Sequence, residues 1–106
     1  MKKLTDSYTH VSFAGEDLSG YDLSEGEFVD VNFSRANLTG SIFKGCKVLI
    51  NVNFFGAILC GANLENVAFT GTVVFEYADL CGANLRGATI NGQEISSCIS
   101  SAQMNC

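Results

Sequence analysis

The side chains with the widest chemical repertoire are few: one histidine, His10, and five cysteines, Cys46, Cys60, Cys81, Cys98 and Cys106. Nucleophilic catalysis needs a hydroxyl or thiol with a base held beside it. His10 precedes the repetitive part of the chain, which argues against a Ser–His or Cys–His pair. The cysteines follow neither the C-x-x-C redox spacing nor a zinc-ligand spacing. No H-E-x-x-H, EF-hand loop or glycine-rich phosphate loop before a helix occurs. An enzyme, a metal site and a cofactor site are therefore not expected. Charge says more. Glu16, Asp17, Asp22, Glu25, Glu27 and Asp30 place six of the eleven acidic residues within one short stretch that holds no base. Such a stretch is either a docking surface for a basic partner or a solvated, solubilising end.

The chain that carries these groups repeats itself. A large apolar residue returns every five positions: Phe13, Leu18, Leu23, Phe28, Phe33, Leu38, Phe43 and Val48; then Phe54, Leu59, Leu64 and Phe69; then Phe75, Leu80, Leu85, Ile90 and Ile95. Neither an α-helix nor an ordinary strand has that period. Fixed-period repetition points to stacked turns of chain that share one core. A short straight side for each five residues, with a corner between sides, buries the central residue and leaves its neighbours in water. The small residue two places earlier also faces inward, and Gly two places later eases the corner. The 106 residues are 47% apolar with eight Phe and no Pro, as suits a single ordered domain in which nearly every residue joins a hydrogen-bond ladder. A net charge of −5 argues against direct nucleic-acid binding or attachment to an anionic membrane. No apolar run is long enough to span a bilayer, and MKKLTDSYTH lacks the apolar stretch of a signal peptide. A cytoplasmic protein with reduced thiols is expected.

The best units are Ala36-Asn37-Leu38-Thr39-Gly40, Ala62-Asn63-Leu64-Glu65-Asn66, Ala78-Asp79-Leu80-Cys81-Gly82 and Ala83-Asn84-Leu85-Arg86-Gly87. This tandem Ala-Asp/Asn-Leu-x-x pattern resembles the pentapeptide-repeat proteins, over roughly four fifths of the chain. The resemblance implies an all-β fold, a right-handed quadrilateral parallel β-helix with four units per coil and about four coils. On that frame face one stacks Phe13, Phe33, Phe54, Phe75 and Ile95. Face two stacks Leu18, Leu38, Leu59 and Leu80, and face three stacks Leu23, Phe43, Leu64 and Leu85. Face four stacks Phe28, Val48, Phe69 and Ile90. Two one-residue insertions, near 49–51 and 71–73, fall at the same corner of successive coils. Cys46 and Val31, Val52, Val67, Val73 and Tyr21 take the small inward slot. Residues 1–10 form a leader or cap, 11–97 the β-helix and 98–106 a tail.

Surface assignments follow from the frame. Lys44, Glu65 and Arg86 form a short ion ladder on face three, and Glu27 lies beside Lys47 on face four. Cys60 and Cys81 share an outward slot one coil apart, as neighbouring thiols or, under oxidation, a disulfide. Val29, Leu49, Ile50, Phe55 and Val74 either make an exposed apolar edge suited to a protein partner or a second copy, or are covered by an inserted corner that folds back over them. An open coil end offers another homodimer surface. The function read from these features is a noncatalytic scaffold for protein–protein interaction or self-association. The resemblance also implies an alternative: an acidic rod that mimics DNA and binds a type II topoisomerase such as DNA gyrase.

Overall fold

The computed structural model describes residues 2–95. Its regular elements are very short: β1 (Ser7–Thr9), β2 (Glu27–Val29), β3 (Val48–Ile50), β4 (Ala68–Phe69), β5 (Thr89–Ile90) and β6 (Gln93–Glu94). The first five all lie on face four and pair in parallel, β1 to β2, β2 to β3, β3 to the coil of β4, and β4 to β5. The other three sides are reduced to one bridging residue per coil. Ser12, Asn32, Asn53 and Val74 align on face one; Asp17, Asn37, Ile58 and Asp79 on face two; Asp22, Ile42, Asn63 and Asn84 on face three. Each of these precedes an inward residue, whose own N–H bonds to the next coil, as Phe33 does to Asn53 O at 2.7 Å. Corners close by a turn in which the N–H three residues on returns to the central carbonyl, as Ala36 does to Phe33 at 3.0 Å. The third residue of such a turn takes positive φ, which is why Gly recurs there.

The columns meet in one interior. Phe28, Phe33, Phe43, Phe54 and Phe69 have no exposed surface. On face one, Phe13, Phe33, Phe54 and Phe75 stack nearly parallel, with centroids 5.5, 5.5 and 5.1 Å apart. Phe43 and Phe69 meet that column edge-on, 5.8 Å from Phe54. Both arrangements suit the ring quadrupole. Val31, Val52 and Val67 fill inward slots as expected, while Val73 and Tyr21 are only half-buried.

Three expectations change. First, Leu49 and not Val48 continues face four. Phe28 pairs with Leu49, which is buried, and Val48 lies opposite Glu27. Cys46 keeps the inward slot of Gly26, donating its S–H to Gly26 O at 3.2 Å, so the extra residue is Lys47. Looping out a lysine keeps its charge in water, and strand alternation then turns Val48 out, Leu49 in and Ile50 out. Second, the insertions bracket face four instead of sharing a corner. The second lies between Thr70 and Val74, because Ile50 pairs with Thr70 but Asn53 with Val74. Third, the ends differ. Lys3 bridges Asp22, and Tyr8 stacks on Phe28 with centroids 5.3 Å apart, so residues expected as a leader extend the coil. At the other end Asn91 and Gly92, at φ 49° and 84°, turn the chain back so that β6 pairs antiparallel with β5. Positive φ at both turn residues is the mark of a tight hairpin. Ile95 is buried near Ala88, whose carbonyl accepts its N–H at 3.0 Å, and does not extend the Phe column. The expected tail, 98–106, lies outside the described residues.

Candidate protein-interaction surface

The six clustered acids do not form one patch. Their places in the repeat distribute them around the coil: Asp17 on face two, Asp22 on face three, Glu27 on face four, and Glu16, Glu25 and Asp30 at corners. Most are engaged locally. Asp17 accepts from the N–H and hydroxyl of Ser19 at 3.1 and 2.7 Å, and these bonds hold its carboxyl below the usual range. Ser24 does the same for Asp22. Glu25 lies 3.5 Å from Lys3 Nζ, and Glu27 accepts from Ser7 Oγ at 2.9 Å. Asp30 is 3.4 Å from His10 Nδ1 and accepts from Asn51 Nδ2 at 2.9 Å. Glu25, Glu27 and Lys47 also line a surface hollow of about 350 Å³. Lys47 is the looped-out residue, so it does not sit opposite Glu27 in the ladder. On face three Lys44 Nζ is 2.9 Å from Glu65, whose carboxyl is held down by that bond and charge and, more weakly, by Arg86.

The expected apolar edge is divided. Leu49 belongs to the interior, for the register reason above, and is removed from the surface. Val29, Ile50, Phe55 and Val74 are half-buried. Val29 and Ile50 are the outward neighbours of Phe28 and Leu49 on adjacent coils, whereas Phe55 and Val74 flank face one. Only Phe55 belongs to a larger cluster. Tyr77, on the next coil, meets its ring edge-on at 5.4 Å, and the Arg35 guanidinium lies over the ring at 5.4 Å. Tyr77 is 80% exposed and Ile58, on the adjoining face two, 41%.

Reading the sequence did not find Arg35, Ile58 or Tyr77. The signal lay in the corner slot itself. After face two that slot holds Gly20, Gly40, Gly61 and Gly82; after face one it holds Gly15, Arg35, Gly56 and Tyr77. Arg35 and Tyr77 adopt φ 58° and 59° there, a region costly for residues with a Cβ. At the corner after face four the positive-φ residues are His10, Asp30, Asn51, Gly71 and Asn91, and side-chain bonds link successive levels: Asn51 to Asp30 and Thr72, Asn91 to Gly71. Arg35 and Tyr77 have ring contacts with Phe55 in place of such bonds.

The thiols split in the same inside–outside way. Burial pushes Cys46 up to about 11, the state of an inert small hydrophobe. Cys60 is a free thiol, raised by burial and then by Asp79. Cys81 is disulfide-bonded, so the Cys60–Cys81 bridge is not formed and the pair are not both reduced thiols. Parallel neighbours one coil apart point their Cβ atoms the same way, which suits a disulfide poorly. Cys98 and Cys106 lie outside the described residues. Among the described residues no group of three or more His, Cys, Asp or Glu side chains is placed to hold a metal ion, and no helix is long and apolar enough to cross a membrane.

The profile of one family, pentapeptide repeats, matches residues 17–48 and 48–87 in eight copies. Among solved structures the chain is similar to HetL, a pentapeptide repeat protein involved in heterocyst differentiation regulation from the cyanobacterium Nostoc sp. strain PCC 7120. Identity is 29% and the TM-score 0.52, over 77% of this chain and 35% of HetL. It is also similar to alr5209, a pentapeptide repeat protein from Nostoc, at 27% identity and TM-score 0.48 over 83% of this chain and 60% of that one. Rfr23, a pentapeptide repeat protein from the cyanobacterium Cyanothece, matches at 24% identity and TM-score 0.46, over 85% and 60%. The chain thus spans between 35% and 60% of the length of these structures. No curated protein matches the sequence.

Proposed function

The chain belongs to the pentapeptide-repeat family, with its right-handed quadrilateral β-helix, and on that premise we propose that it is a noncatalytic scaffold whose outer surface binds a protein partner. The observation that carries this reading is the contrast between a filled interior and an aromatic side chain left in water. Stacked Phe rings leave the coil no interior site for a small molecule, while Tyr77 stands 80% exposed beside Phe55. Exposed aromatic groups beside Arg are what protein interfaces favour. Self-association of this surface or of a coil end is the homodimer form of the same reading.

The acidic-mimic alternative draws on net charge alone, since the clustered acids ring one coil and most hold local partners. For cellular setting, the free thiols of Cys46 and Cys60 favour the cytoplasm and the disulfide at Cys81 does not.

The test is affinity capture from cells of the source organism with the wild-type protein as bait, alongside its mass in solution and a gyrase supercoiling assay. A specific partner or a concentration-dependent dimer supports the scaffold reading. Neither one, at high protein concentration, rejects it. Inhibition of supercoiling by the pure protein moves the conclusion to the topoisomerase.

A further inference from the structure

Resting on the scaffold reading, we infer that the edge built by Arg35, Phe55, Ile58 and Tyr77 is the docking site, and that its occupant is a basic protein segment presenting an aliphatic side chain. The backbone gives the first reason. The corner after face one works with Gly15 and Gly56, and the corner after face two with Gly at four levels. Arg35 and Tyr77 hold the same left-handed conformation with side chains attached, where the Cβ crowds the following carbonyl. No hydrogen bond of their side chains to a described residue offsets that, in contrast with Asp30, Asn51 and Asn91. Strain offset only by contacts to an outward ring, and not by bonds that tie the coils together, is a mark of a functional surface.

Packing gives the second reason. Gly56 separates the two strained residues, and a Cβ there would stand 3.3 Å from Arg35 Cγ. Its missing side chain leaves the room in which Arg35 reaches the Phe55 ring, while Tyr77 closes on that ring from the other side. The outcome is a three-level clasp on the outside of the coil, with Ile58 beside it on face two. Rigid aromatic rings with a stacked guanidinium bind a large area at little entropic cost.

Charge selects the occupant. Exposed Glu76 follows Phe55 in the coil ladder, and exposed Asp79 pairs with Ile58. The Arg35 guanidinium keeps its charge over the ring, but the exposed carboxylates of Glu76 and Asp79 outnumber it, so the rim that meets a partner carries net negative charge. A second copy would set acid against acid on a chain of net charge −5. A basic segment complements the rim, and its aliphatic side chain covers Phe55 and Ile58.

The probe is a short fluorescent peptide alternating Arg and Leu, read by anisotropy at low salt, with a Glu/Leu peptide as control. Wild-type protein binds the Arg/Leu peptide and not its control. Tyr77→Gly combined with Phe55→Ser weakens binding about tenfold or more, the loss of a hot spot. Glu76→Gln with Asp79→Asn weakens it less and flattens its salt dependence. Val29→Ser, on face four, leaves it unchanged. Thermal unfolding of each variant verifies the fold. Equal binding of both peptides, no binding of the Arg/Leu peptide, or full binding by the Tyr77→Gly, Phe55→Ser variant overturns the proposal. So does a dimer that this variant abolishes, which would make a second copy the occupant. If the captured partner of the preceding section still binds that variant, the docking site is wrong and the scaffold reading stands.

Discussion

Phe54 and Phe55 are consecutive residues with opposite duties. Phe54 lies between Phe33 and Phe75 with no exposed surface, at the centre of the stack that holds four coils together. Phe55 points outward, and its ring contacts are Arg35 and Tyr77, which no turn of the fold requires to be large. Inside, aromatic rings replace one another at each level because the coil must be filled. Outside, a cluster of the same chemistry sits on strained backbone. The difference separates what the fold needs from what it carries.

Substitution at each of the two phenylalanines tests that separation most strongly. Phe54→Ala is expected to remove about 3–5 kcal/mol of stability by denaturant unfolding, whereas Phe55→Ser stays within about 1 kcal/mol of wild type. Similar losses at both positions would break the comparison. A second inside position is smaller. The hydroxyl of Ser41 is buried without a hydrogen-bond partner among the described residues, in the inward slot that Ala62 fills one coil later. Ser41→Ala should raise stability by about 1–3 kcal/mol, read as a higher denaturant midpoint at constant slope. Outside, Tyr77→Gly relieves left-handed strain but frees the unfolded chain, so a gain of at most about 1 kcal/mol is expected. A clear loss of stability would instead make the clasp part of the fold.

The thiols sharpen the contrast through a loss of stability that begins only in the alkaline range. Burial raises Cys46 from 9.0 to about 11, so the native state holds its proton more tightly than the unfolded chain. Its contribution is complete below pH 9 and is lost as pH rises from about 9 towards about 11. Cys46→Ala should flatten that part of the stability profile. In the native protein, iodoacetamide should modify Cys60, which is partly exposed, well before Cys46.

Most of the interior could be read in advance because its rule is simple: every fifth residue is large, and a shift by one would put an Asn or Asp inside. The exception shows the limit. Val48, Leu49 and Ile50 are all apolar, so the five-residue count cannot locate the insertion, and Val48 and Leu49 exchange places. Cys46 held against Gly26 and Lys47 looped into water decide it. The acidic stretch was visible as composition, but contiguity in sequence became a ring around a coil, since five residues move the chain by a quarter turn. Phe55 was legible as an outward apolar residue. Arg35 and Tyr77 were not, because they stand in a slot that the repeat assigns to Gly and lie far from Phe55 along the chain.

Sequence alone determined the period and an enclosed core, for those depend only on residue type at fixed intervals, while the four-sided coil came with the resemblance to pentapeptide repeats. Tertiary structure decided which side of each insertion the columns resume on, how the last coil folds back through Asn91 and Gly92, and which outward residues meet. Those outcomes turn on contacts between coils some twenty residues apart, where a single bulge or a left-handed φ redirects side chains that the local pattern leaves free.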